Sequence, residues 1–320
     1  MLALAPISGD QPVLRTTSGF NFDPHGCHWQ AVKRILSSSL EASTRSNYGA
    51  GIDHFILFCH ELGIPHRDRY PVSEGLLLAF VAHMGLRVRA GTIRNYISAL
   101  ATWHRSWNQP FHRGEAVNLA LRAIEKAGPP KKPLRPPVTQ DDLLAIFRIL
   151  DVSNNSFHAA VWACALFSWW SMCRLGETTT ANQVTCPTRN VMRSHLRGIA
   201  TDDAGLSVAT VWLPWTKTTL VSGMDKFILD ACGCLNPVFA LRHHLRLSPV
   251  DPTLSSSTPL FAFRERTGSP LLALTKKEFL ATVNSALAAA GREAHVGHSF
   301  RIGGATVHWR AGVPIDSIKL

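Results

Sequence analysis

Gly297-His298-Ser299-Phe300-Arg301-Ile302-Gly303-Gly304 is the stretch on which the reading of this chain turns. It places a histidine and an arginine three positions apart at the start of a predicted helix running to about Arg310, so both side chains leave one face and can reach one ligand. An imidazole beside a guanidinium is a phosphate-gripping pair. The spacing alone discriminates nothing, because it also occurs at His66/Arg69 and His243/Arg246. What sets the third pair apart is its frame of glycines and small residues, GHSFRIGGAT, together with two upstream elements. Those are Met172-Cys173-Arg174-Leu175-Gly176-Glu177 and the strand-like Leu213-Pro214-Trp215-Thr216-Lys217-Thr218-Thr219.

The 320 residues suffice for two ordinary domains, each with its own core, and 46% hydrophobic against 17% charged residues is a globular composition. A net charge of +11 points to a polyanionic partner. The excess is not confined to a tail: 16 basic residues face 9 acidic ones before Pro137, and 17 face 13 after it. Seven cysteines, odd in number and irregular in spacing, argue for a reducing compartment and against a disulfide framework. The one close pair, Cys232-Gly233-Cys234, has no second pair at zinc-like spacing, so no metal site is predicted. No apolar run approaches the roughly 18 residues of a membrane span, and the N-terminus lacks the charged flank of a signal peptide. The composition reads as soluble and intracellular.

Residues 1–27 carry Pro, Gly, Ser and Thr without periodicity and read as a loose tail. Residues 28–127 read as a compact helical domain. Within it, Tyr48, Ile52, Phe55, Ile56, Cys59 and Leu62 form one apolar face ended by Gly63, and Ser73 caps a helix to Gly85. A helix over Thr92–Trp107 buries Ile93, Tyr96, Ile97, Leu100 and Trp103 or His104. That leaves Arg94, Asn95, Ser98, Thr102 and Arg105 outward, with Arg87 and Arg89 just before them, a basic and amide-rich face of the kind that can lie in a major groove. Another helix follows over Glu115–Lys126.

Residues 128–137, Gly-Pro-Pro-Lys-Lys-Pro-Leu-Arg-Pro-Pro, hold five prolines and form a stiff basic linker containing Lys131 and Lys132. Residues 138–320 form the second domain. It opens on a capping-box-like Thr139-Gln140-Asp141-Asp142 helix to Leu150, followed by a core helix from Phe157 to about Cys173 with Arg174 at its polar end. Between Arg193 and Asp230 the texture is that of a small antiparallel sheet, with a turn at Asp202–Gly205, a strand at Ser207–Leu213, and Lys217 just beyond a strand edge. Helices then start at Asn236-Pro237, at the Thr275/Glu278 capping box, at the GHSFRIGG stretch and at Val313-Pro314.

Arg174 in RLGE, Lys217 on a hairpin and HSFRIGGAT, behind a helical basic domain and a proline-rich linker, resemble the tyrosine recombinases of the phage-integrase superfamily. The wording of LPWTKTT and HSFRIGGAT is closest to recombinase-like proteins of fungal genomes and their mobile elements. The resemblance covers roughly Ser43–Leu320. It implies a mainly α, two-domain fold: a helical core-binding domain and a mixed α/β catalytic domain of the DNA breaking-rejoining type with a small antiparallel sheet, closing around duplex DNA. It also implies action in the nucleus, assembly of several copies on DNA, and no cofactor.

Carried over by position, Arg174 and Arg301 match the family's two arginines, His298 its histidine and Lys217 its hairpin lysine. The chemistry suits these residue types. A phosphodiester attacked in line gathers charge on its non-bridging oxygens, which two guanidiniums can hold by forked hydrogen bonds. His298 could then take or return the proton of the attacking hydroxyl, and Lys217 could protonate the leaving oxygen. Glu177 is the orienting partner of Arg174.

The family's nucleophile is a tyrosine beyond this stretch, preceded by a tryptophan or histidine, and neither follows Ile315. The three tyrosines, Tyr48, Tyr70 and Tyr96, all precede the linker, and Trp309 stands too close to Arg301 to serve and is expected to pack. The expectation is therefore a chain that binds DNA without cleaving it, as a fragment, a truncated gene model or a decayed relative, with an apolar groove left open. Two other classes remain: a DNA-binding protein without chemistry, and a helical protein-interaction module with no nucleic-acid role. The absence of internal repeats weighs against the second.

Overall fold

Helical periodicity and local caps build the first half of the chain in a computed structural model that describes residues 31, 35, 39–107, 109–129, 134–266 and 268–319. The predicted tail and the linker residues Lys131 and Lys132 lie outside the described residues. The chain divides into two compact units, Met1–Lys132 and Pro133–Leu320.

The first unit comprises α1 (Ala42–Glu61), the single turn α2 (His66–Arg69), α3 (Glu74–Gly85), α4 (Ala90–Ser106) and α5 (Glu115–Ala127). The hydroxyl of Ser73 accepts from the Leu76 N–H at 3.2 Å and starts α3. Gly63, at φ +62°, turns the chain out of α1, a conformation open to glycine at no steric cost. The apolar faces meet in one cluster around Phe55, Leu77, Phe80, Ile93, Leu100 and Leu121. Leu62, predicted on the buried face of α1, is exposed, and Phe58 is buried instead. The reason is register: Leu62 lies past the last helical turn, whereas Phe58 packs against Phe80 at a centroid distance of 5.4 Å.

The second unit opens with α6 (Gln140–Ile149), begun by a capping box in which Thr139 and Asp142 each bond the other's backbone N–H. Next comes α7 (Ser156–Trp170), buried on nearly every side from Ala159 to Trp169 and serving as the axis of the core. It ends three residues before the predicted Cys173, because Met172 takes a positive φ of 54° and swings the chain out of the helix. Arg174 consequently does not end the long helix but begins a new one, α8 (Leu175–Thr178).

Strands β1 (Leu196–Thr201), β2 (Ser207–Leu213) and β3 (Met224–Leu229) form an antiparallel sheet in that order. Strict alternation along β2 buries Ala209, Val211 and Leu213 and leaves Val208, Thr210 and Trp212 half-buried on the other face. A second hairpin, β4 (Phe263–Arg264) with β5 (Leu271–Leu272), is too short to leave a periodic signal in sequence. The remaining helices are α9 (Pro237–Leu247), α10 (Lys276–Ala289), α11 (Gly297–Arg310) and α12 (Ile315–Lys319). Among the described residues no helix is long and apolar enough to cross a membrane.

The position of α11 is set by its two glycines. A Cβ on Gly303 would stand 2.1 Å from the Val138 carbonyl oxygen, and one on Gly304 would stand 1.8 Å from that of Trp169. Only a helix bare of side chains at these two places can lie this close to α7. Val138 is pinned in turn: its N–H donates to the Ser299 carbonyl at 3.0 Å, and its carbonyl accepts from Trp169 Nε1 at 2.9 Å.

Candidate functional site

Three separate segments meet at the start of α11. The turn after α7 brings Arg174, whose backbone N–H donates to Glu177 Oε2 at 2.8 Å while its Nη1 donates to Glu177 Oε1 at 2.9 Å. Glu177 is buried, so one carboxylate holds both ends of the arginine and fixes its direction. Arg301 is anchored from the other side: its Nη1 donates to the Met172 carbonyl at 2.8 Å. Each guanidinium is thus held by one of its edges and keeps further N–H groups for a ligand.

His298 is exposed at the mouth of this group. Partial loss of hydration, followed by the positive charges of Arg301, Arg135 and Arg174, holds its imidazole below the ordinary histidine value. Its neutral form, which can accept a proton, is therefore favoured. The charges that act on it are cationic, and the Glu177 carboxylate beside them is engaged by Arg174. An anionic oxygen is the complementary ligand.

Lys217 stands apart. It is exposed on the loop between β2 and β3 and makes no hydrogen bond or ion pair with the other three. The loop is held at its base by Thr216, whose hydroxyl accepts from the Thr219 N–H at 3.0 Å and whose carbonyl accepts from the Leu220 N–H at 2.9 Å. The run of threonines in TKTT is thereby explained as turn chemistry.

The other two H-x-x-R pairs are structural. Arg69 Nε donates to the Ile64 carbonyl at 2.7 Å, and His243 Nε2 lies 2.7 Å from the Val152 carbonyl while its Nδ1 lies 3.1 Å from Arg246 Nη2.

Arg87 and Arg89, just before α4, and Asn95, Ser98 and Arg105 on it are exposed, and Thr102 is half-buried. Arg94 is engaged within the unit, its Nη2 lying 2.6 Å from Glu125 Oε2 on α5, and Arg87 contacts His83.

Reading by motif misses two basic neighbours of the site. The charge of Arg135 acts on His298 because the Val138–Ser299 bond pins the end of the proline run against α11. The stem of Lys276 lies over Gly297, where a Cβ would stand 3.1 Å from Lys276 Cε. Neither has a sequence signal beyond being basic.

Trp309, expected to pack, is 62% exposed, because α12 turns away after Gly312 and leaves an open groove. That groove encloses about 410 Å³ and is lined by Ile302, Trp309, Ile315 and Ile318, with His298 and Arg301 among its walls. Among the described residues no three His, Cys, Asp or Glu side chains gather to hold a metal ion.

Neither a family model nor a curated protein matches the sequence. Solved structures do match. The XerH site-specific recombinase bound to palindromic difH substrate in a post-cleavage complex superposes over 91% of this chain and 76% of its own, with 13% identity and a TM-score of 0.53. A lambda integrase (75–356) dimer bound to a COC′ core site matches over 89% of this chain and 90% of its own, with 15% identity and a TM-score of 0.50. The Tn1549 transposon integrase (82–397) in complex with circular intermediate DNA matches over 90% of both chains, with 13% identity and a TM-score of 0.51. At such identities the likeness is one of fold: the chain shares the fold of these recombinase and integrase structures.

Proposed function

We propose that this chain is a duplex-DNA-binding protein of site-specific recombination, of mobile-element type and acting in the nucleus. It grips a phosphodiester with Arg174, His298 and Arg301, and as written it does not cleave the strand. The observation that carries this reading is that Arg301, one helical turn from His298, is anchored to the Met172 carbonyl, two residues before an Arg174 that Glu177 holds in place. The recombinase fold and the net charge of +11 support it. Lys217, from its exposed loop, closes on a bound strand and acts on the leaving oxygen in this reading. Arg87 and Arg89 before α4, Asn95, Ser98 and Arg105 on it, and the linker lysines Lys131 and Lys132 supply sequence-independent contacts to the backbone. Several copies assemble on one DNA site.

Strand cleavage in this chemistry needs a tyrosine nucleophile, and the three tyrosines all lie in the first unit. Tyr48, Tyr70 and Tyr96 pack against its apolar cluster, and burial pushes the Tyr70 phenol up, away from the phenolate. Two measurements on the 320-residue chain test the proposal. Affinity for duplex DNA should fall about 10³-fold or more between 50 and 200 mM salt, as expected for six or more phosphate contacts. A nicked suicide duplex should yield no covalent protein–DNA adduct. Salt-independent or absent DNA binding would instead identify a protein-interaction module, and an adduct would refute the inactivity.

A further inference from the structure

Gly297, the residue before His298, is buried and does not take a positive φ. Backbone conformation therefore does not call for a glycine here; close approach does. A Cβ on it would stand 3.2 Å from Leu175 Cδ1 and 3.1 Å from Lys276 Cε. Leu175 directly follows Arg174, and Lys276 is the first residue of α10. One bare α-carbon is thus the meeting point of the segments that begin at Arg174, at Lys276 and at His298.

The backbone fixes Lys276 in this place. Its N–H donates to the Thr180 carbonyl at 3.0 Å, and the Thr180 N–H donates to the Leu274 carbonyl at 3.0 Å, so the start of α10 is tied to the chain just after α8. The stem lies over Gly297, and the ammonium is one bond beyond Cε on an exposed residue. Among the described residues that ammonium makes no hydrogen bond or ion pair. Glu278, the carboxylate two positions on, is engaged elsewhere: it accepts from the Thr275 N–H at 3.1 Å and from the Thr275 hydroxyl at 2.6 Å.

Gly297 and Arg301 are four residues apart, which puts them on one face of α11 with roughly 6 Å of rise between them. Lys276 therefore brings a charge to the face that carries Arg301, about one turn nearer the start of the helix. A phosphodiester has two non-bridging oxygens, and in the reading above two guanidiniums take them. We infer that Lys276 is a further DNA ligand, which holds the next phosphate of the same strand while Arg174 and Arg301 hold the first. The inference rests on the phosphate-gripping reading and extends it from one phosphate to two. An ammonium suits this place, since a point charge needs no forked geometry and the glycine gives its stem a seat.

The test uses the full chain, a duplex DNA probe followed by fluorescence anisotropy at several salt concentrations, and thermal melting without DNA. Lys276→Met keeps an apolar stem over Gly297 and removes the charge. It should lower affinity about 3- to 10-fold and reduce the slope of log affinity against log salt by about one. Its melting should match the parent's, because the residue is exposed. Lys276→Arg should retain the slope, and so should Lys277→Met, one residue on and about 100° further round α10. Equal losses in Lys276→Met and Lys277→Met overturn the inference, since the start of α10 would then be a diffuse basic patch. A parental slope in Lys276→Met, while Arg301→Ala loses about one, overturns it and leaves the phosphate-gripping reading standing. If neither variant changes the slope, that reading itself fails.

Discussion

Gly304 lies so close under α7 that a Cβ on it would stand 1.8 Å from the carbonyl oxygen of Trp169. The second approach, at Gly303, meets the Val138 carbonyl and Trp169 Nε1, the two partners of one hydrogen bond. The glycine pair beside His298 and Arg301 therefore serves helix packing, and through it the direction of both side chains.

Gly304→Ala should destabilise the second unit by about 3 kcal/mol or more, at or beyond the upper end of overpacking costs, because the clash is with backbone that cannot rotate away. Urea unfolding followed by tryptophan fluorescence checks it. A midpoint within experimental error of the parent would show that α11 can lift from α7 freely.

Glu177→Ala should be among the most damaging single changes near the site. It removes the partner of both the Arg174 backbone and its Nη1 at a position where the carboxylate is buried. Breaking such a pair costs about 3–5 kcal/mol when a charge is left uncompensated; Arg174 is a third exposed, so the lower end of that range applies. Thermal melting gives the number, and Glu177→Gln, which keeps an acceptor, should recover part of it.

DNA binding should take up a proton at mildly acid pH. His298 is held below the ordinary value of about 6.5 by lost hydration and cationic neighbours, and a bound phosphate would offset those charges and raise it. Affinity should therefore increase as pH falls from 7.5 to 5.5, and His298→Gln should flatten the profile. Calorimetric titrations in buffers of different ionisation enthalpy measure the proton directly; uptake of none in that window would count against His298 facing the ligand.

Acid should unfold the protein before its carboxylates titrate. His104 and His244 are both fully buried, burial lowers both, and His244 is brought to about 3. Their unfolded forms bind protons below about 6.5 while the folded forms do not, so stability is present above that pH and is lost as pH falls from there toward the folded values. Denaturant midpoints at pH 7.5 and 5.0 should differ in that direction, and equal midpoints would show that the two imidazoles are not held neutral by the fold.

Glu125→Gln should release Arg94 from its 2.6 Å pair and strengthen DNA binding by about 2- to 3-fold if the α4 face meets the backbone. Stability should move by no more than about 0.5 kcal/mol, because both partners are exposed. Unchanged affinity in a folded variant would remove Arg94 from the DNA-contacting face.

Much of this architecture is local chemistry and was readable as such. Ser73, Thr139 with Asp142, Asn236 before Pro237, and Thr275 with Glu278 start helices because their side chains bond N–H groups two or three residues on, an interaction written entirely in neighbouring positions. Alternation from Ser207 to Leu213 specifies β2, and three motifs mark Arg174, Lys217, His298 and Arg301 in the sequence itself.

What the tertiary structure alone decided are the partners drawn from far along the chain. Met172 leaves the helix because its carbonyl and the turn around it are shared with Arg301, 129 residues away. Arg135 is brought to α11 only through the bond between Val138 and Ser299, and the close approach of Gly303 and Gly304 to Val138 and Trp169 has no signature in neighbouring positions. Sequence periodicity reports which face of an element is apolar; which groups meet across that face depends on the elements packed against it.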